Sequence, residues 1–107
     1  MKGVDRTIAV LGDPTRRELL RRLAANPCRA GALAEGFAVS RPAICKHTRI
    51  LTRAGLIKAR KAGRERIYQL APGGGEAIKQ LIGELEDLER FWDKALGAFK
   101  RYLEDNH

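Results

Sequence analysis

The chain has 107 residues, with 21 Lys/Arg against 13 Asp/Glu and a net charge of +8. That length allows one domain with a small core, and the composition is globular rather than disordered. A sequence pI near 10.1 points to an anionic partner, nucleic acid before membrane; no apolar run reaches the roughly 18 residues of a membrane span.

The charge is unevenly placed. Residues 1–55 sum to +7, residues 56–71 to +4 and residues 72–107 to −3. The first two-thirds is therefore the candidate nucleic-acid surface. The opening residues MKGVDRTIAVLGD are too short and too polar for a signal peptide, so a cytoplasmic protein is expected. Cys28 and Cys45 are then expected as thiols.

Val4, Ile8 and Leu11 recur at helical spacing and predict a short helix over residues 4–12. A helix of that length is weak alone and must dock on something. Asp13-Pro14 is a start signal, an N-cap acid followed by proline at the first helical position. The next helix should run to about Ala25, with Leu19, Leu20, Leu23 and Ala24 inward and Arg16, Arg17, Arg21 and Arg22 outward. Asn26-Pro27 ends it. A third helix is expected over Arg29–Phe37, with Leu33 and Phe37 one turn apart.

Ser40–Arg53, SRPAICKHTRILTR, reads as the chain's organising helix. Ser40 can cap it, Pro42 is tolerated in its first turn, and Gly55 can end it. Ile44, Thr48, Leu51 and Ala54 fall on one side. Cys45, Lys46, Arg49 and Arg53 fall on the other, with no acid among them. A cationic face on a short capped helix fits a major groove, which is about one helix wide. Two short helices joined by a turn, the second one basic, make a helix-turn-helix.

Beyond Gly55, Leu56–Lys61 and Arg66–Leu70 carry β-branched or aromatic residues around Ala62-Gly63-Arg64-Glu65, which predicts a hairpin. Lys58, Arg60, Lys61, Arg64 and Arg66 decorate it, as in a wing. Pro72-Gly73-Gly74-Gly75 reads as a hinge; it lacks the Lys-Ser or Lys-Thr of a phosphate-cradling loop. Glu76–Leu103 is then the longest helix. Its stripe, Ile78, Leu81, Ile82, Leu85, Leu88, Trp92, Leu96, Phe99 and Leu103, exceeds what one small domain can cover. Burial against a second copy is expected, with the amino-terminal helix joining the seam. A fold-back broken near Gly97 is the alternative.

The runs GDPTRRELLRRLA and LAEGFAVSRPAICKHTRILTRAGLIKARKAGRERIYQL resemble the winged-helix repressors of the ArsR/SmtB type, over about residues 5–103. The Phe91-Trp92 pair resembles a metal-free branch of that family. The resemblance implies a fold that is mainly α with a small β-hairpin wing (α+β), a winged helix-turn-helix. It implies a homodimer that represses transcription from an inverted-repeat operator. It also implies three parts: residues 1–12 for dimerisation, 13–71 as the helix-turn-helix core and wing, and 72–107 as a long dimerisation helix. Dimerisation is expected through Val4, Ile8, Leu11, Leu85, Leu88, Trp92, Leu96 and Phe99. Ser40, Arg41, Cys45, Lys46 and Arg49 stand where the family reads bases and phosphates, and Arg64 and Arg66 where its wing touches DNA. Arg53 completes the expected interface; His47 is grouped with it as a residue that packs at the margin of the helix and positions it or bonds a phosphate, rather than acting as a switch.

The sequence departs from that family at two positions. Thr48 replaces a usual leucine, which weakens packing unless its hydroxyl bonds a helix carbonyl. Cys45 replaces a small hydroxyl residue. Metal-sensing members place paired cysteines at the start of the third helix or histidines along the last; here Arg29 and Gly31 stand at the former, beside Cys28, and the only histidine near the latter is the terminal His107. No metal, no other cofactor and no enzymatic activity are expected, and no particular effector is indicated. Cys28 and Cys45 remain candidate thiol sensors, so a thiol- or metalloid-responsive repressor is one alternative. A sequence-indifferent architectural DNA-binding protein is another. Trp92 and Phe99 are read as core rather than as a ligand pocket.

Overall fold

A computed structural model describes residues 2–105, the side chain of Lys2 excepted. The elements run α1 (Lys2–Leu11), α2 (Pro14–Ala25), β1 (Cys28–Arg29), α3 (Ala30–Leu33), α4 (Arg41–Arg53), β2 (Ile57–Ala62), β3 (Glu65–Leu70) and α5 (Pro72–Asp105). The protein is mainly helical, with one small antiparallel sheet in the order β1-β3-β2.

Local chemistry sets most boundaries. Asp13 caps α2, its Oδ1 accepting from Thr15 N at 2.8 Å and Arg16 N at 3.2 Å, and Pro14 follows in the first turn. Ser40 caps α4, its Oγ accepting from Ala43 N at 3.3 Å. At the far end of α4, Leu56 N bonds Leu51 O at 3.1 Å and Gly55 N bonds Thr52 O at 3.0 Å. This is the Schellman closure, with Gly55 at a φ of 76° that a side chain would strain. It turns the chain directly into β2.

The wing is a two-stranded ladder with Ile57 opposite Leu70 and Ala62 opposite Glu65. Gly63, at φ 65°, takes the first central position of its two-residue turn. The third strand was not expected. Cys28 and Arg29 pair with Tyr68 and Ile67, anchoring the hairpin to the helical body. A strand of two residues has no periodicity to read.

The core lies where α2, α3, α4 and the hairpin base meet, around Leu19, Leu23, Leu33, Ile44, Leu51 and Ile57. The expected inner stripe of α2 holds except at Ala24, which is exposed. Two arginines expected outside turn inward. Arg22 donates to Leu33 O at 3.0 Å and Glu35 O at 2.5 Å, and its guanidinium lies 4.3 Å from the Phe37 ring centroid. Those bonds capture the chain after one helical turn, so α3 ends at Leu33 and the expected helix to Phe37 does not form. Arg16 is half-buried and bonds to α1.

Two further expectations are corrected. Pro72-Gly73-Gly74-Gly75 is no hinge; it is the first turn of α5. First-turn N–H groups need no helical partner, so proline fits there. A Cβ on Gly74 would stand 3.1 Å from Leu56 O and 3.2 Å from Leu56 Cα, so glycine lets α5 leave the core at close quarters. The helix then continues for 34 residues without a break at Gly97. It carries the molecule to 72 Å in its longest dimension and to a radius of gyration of 19.3 Å, against about 13 Å for a compact domain of this length.

Candidate nucleic-acid interface

Helix α4 packs on α2 and β2 through buried Ile44, Thr48 and Leu51. Burying those three fixes which residues remain outside: Arg41, Cys45, Lys46, Arg49 and Arg53 are all exposed. Among the described residues none of Arg41, Lys46, Arg49 and Arg53 forms an ion pair with an acid. Their charges are therefore available to an external polyanion. Ser40 stays at the amino end, where free N–H groups and the helix dipole favour a phosphate.

Thr48 solves its own packing problem. It is 3% exposed, and its Oγ1 donates to Cys45 O at 2.9 Å, so the buried hydroxyl is satisfied within the helix.

His47 sits apart from the cationic face. It is half-buried, and its Nδ1 lies 3.1 Å from Arg16 Nη1. Asp13 shares this corner. Burial raises the pKa of its carboxyl, but the amides of Arg16 and Thr15, then the electrostatics of the adjoining His47–Arg16 pair, hold it below the ordinary value. Sequence reasoning missed Arg16 because helical phase places it outside.

The wing adds exposed cations at Lys58, Arg60, Lys61, Arg64 and Arg66. Arg64 occupies the turn itself. Arg60 Nε donates to Gln69 Oε1 at 3.2 Å, and Arg29 of β1 pairs with Glu65 at the end of the turn at 2.9 Å. Both partners of that ion pair are more than half exposed, and such a pair stabilises little.

The cysteines are free. Cys45 is exposed on the α4 face and Cys28 is half-buried on β1. Among the described residues no three His, Cys, Asp or Glu side chains gather as metal ligands would; His107 lies outside the described residues.

The apolar stripe of α5 stays uncovered along its distal half. Trp92 is 67% exposed and Phe99 59%, so neither is core within one chain. Ile8, Leu85, Leu88 and Leu96 are likewise exposed. Val4 is already buried, in the seam that α1 forms with α5 of the same chain. Leu11 is half-buried against the core.

A capped, basic helix behind a tight helical turn, followed by a basic hairpin, defines a winged helix-turn-helix protein. Comparison with known proteins gives the family. Residues 11–60 match the family described as a helix-turn-helix domain. The HTH-type transcriptional regulator Rv2034 of Mycobacterium tuberculosis is 40% identical over 103 residues, which cover 96% of this chain and 91% of that protein. The transcriptional repressor SdpR of Bacillus subtilis is 38% identical over 60 residues, 56% of this chain and 67% of that one. A solved ArsR-like transcriptional regulator from Rhodococcus sp. RHA1 superposes with a TM-score of 0.70 at 34% identity, over 94% of this chain and 92% of that chain. The chain belongs to the ArsR-type winged helix-turn-helix transcriptional regulators.

Proposed function

We propose that this protein represses transcription as a homodimer that binds an inverted-repeat operator, with no catalytic step. The observation that carries the reading is the cationic face of α4, whose arginines and lysine form no ion pair with an acid among the described residues. It lies on a helix whose opposite face is fully used in packing. Lys46, Arg49 and Arg53 would address the major groove, with Ser40 and Arg41 on the backbone at the helix start. Arg64 and Arg66 would reach the flanking backbone or minor groove. The pairing surface would be the uncovered stripe of α5, with Ile8 of α1 beside it. Such pairing sets the two reading helices about 34 Å apart, one turn of the duplex.

The likeness to a named repressor supports the direction of regulation. Residues 1–12 and 72–107 would serve the pairing, and residues 13–71 the reading.

Selection of bound duplexes from fragmented genomic DNA tests the proposal. Recovered sites should be inverted repeats, preferred over random DNA by about 10³ or more. Equal binding to all duplexes would leave an architectural DNA-binding protein. Arg49→Ala or Lys46→Ala should cost about 1–3 kcal/mol where the residue reads a base, and relax preference at that position. Arg64→Ala should weaken all sequences alike and reduce the salt slope by about 1.

A further inference from the structure

Arg16 joins three elements through one side chain. From α2 its Nε donates to Val10 O at 2.6 Å and its Nη2 to Ala9 O at 3.3 Å, both in the last turn of α1. Its Nη1 lies 3.1 Å from His47 Nδ1 on α4, across 31 positions of sequence. A guanidinium only donates, so Nδ1 is the acceptor and the ring hydrogen sits on Nε2. Both side chains are half-buried, which strengthens the bond relative to one in open water.

The apolar face of α4 holds the helix against the core, but apolar burial is non-directional. Buried Ile44, Thr48 and Leu51 set which face of α4 turns inward; a directional bond on the same helix narrows the rotation that this packing leaves. A guanidinium whose other donors are fixed on α1 cannot follow that rotation, because its fork is planar and rigid. His47 adjoins Lys46 and precedes Arg49 by two residues. What fixes the azimuth of His47 therefore fixes where those cations point.

We infer that Arg16 and His47 are a positioning pair for DNA recognition: Arg16, braced on the end of α1, holds His47 through Nδ1 and so sets the rotation of α4. This rests on the reading that α4 addresses DNA. It gives His47, which the sequence places at the margin of the helix in a structural or DNA-positioning role, a particular partner in Arg16.

Two substitutions separate the roles. In His47→Asn the amide oxygen falls where Nδ1 was, so the acceptor for Arg16 survives and the Nε2 hydrogen is lost. In His47→Gln the amide nitrogen reaches toward the Nε2 position, so the reverse holds. The probe is the best duplex recovered from the genomic selection, and affinity is measured well below each variant's melting temperature, where loss of stability alone does not register. H47N should bind within about twofold of wild type, and H47Q about tenfold more weakly or worse. In an Arg16→Gln background the two should become equal; should that background not fold, the Asn and Gln comparison decides alone. H47Q binding like wild type, or H47N binding no better than H47Q, overturns the pair. Long-range nitrogen–proton NMR of the free protein gives a second readout: a bare Nδ1 and protonated Nε2 are expected, and the opposite tautomer overturns the assignment. R49A is the control. If it leaves binding intact, the DNA-reading role of α4 fails; if it weakens binding while the Asn and Gln order is wrong, only the positioning pair fails.

Discussion

Asp13 shows how one side chain sets a helix, a charge and a pH response. Its carboxylate accepts from two first-turn amides of α2, and those bonds keep its pKa lowered against the opposing effect of burial. A carboxyl with a lowered folded-state pKa stabilises the fold above its unfolded pKa; that contribution is lost as the pH falls through the lowered folded value. Asp13→Ala should therefore cost about 1 kcal/mol near neutral pH, as lost caps do. The gap to wild type should close as the pH falls below about 4 and the native carboxyl also protonates. Urea melts of both proteins at neutral and acid pH measure this; a gap that widens in acid would contradict it. Asp13 and Ser40 were legible as caps because capping is a matter of neighbours two or three residues away. Arg16 and Arg22 were not, since their acceptors lie on other elements, at Val10, Leu33 and Glu35.

Among the elements, the start of α5 departs furthest from its sequence pattern. Three glycines after a proline look like a hinge when only local propensity is weighed. The close approach of Gly74 to the Leu56 backbone shows why the helix accepts them. Gly74→Ala should destabilise by about 1–3 kcal/mol, because the clash is with backbone that cannot swing aside. Gly73→Ala and Gly75→Ala meet nothing within 4 Å and should be neutral or stabilise by up to about 1 kcal/mol, as alanine does over glycine in a helix. Thermal melts followed by circular dichroism rank the three; G74A melting like G75A would remove the packing explanation. In α4 the sequence was more informative, since cap, apolar stripe, cationic face and terminal glycine are all local signals and all point the same way.

At the scale of the whole molecule, the uncovered stripe is the dominant fact. Leu88, Trp92, Leu96 and Phe99 are each more than half exposed on a helix that extends beyond the core. Exposed apolar area of that extent marks an interaction surface. Leu88→Glu places a charge in the middle of the stripe at a half-exposed position outside the buried core. On the proposed pairing, wild type should scatter light as a dimer and the variant as a monomer with sharply lower operator affinity, while the far-ultraviolet circular dichroism stays helical. A variant that remains dimeric with full affinity would move the seam elsewhere.

The sequence by itself determined the order of the main helices, the limits of α2 and α4, the identity of the cationic face and the apolar stripe of the terminal helix. Each follows from periodicity and caps, which act within a few residues of the chain. Only the tertiary structure decided that Arg16 and Arg22 turn inward, that Cys28 and Arg29 complete a sheet with β3, that a glycine run opens a helix and that Val4 is spent inside its own chain. Those depend on surfaces brought together from distant positions, where packing and hydrogen-bond satisfaction outweigh local preference.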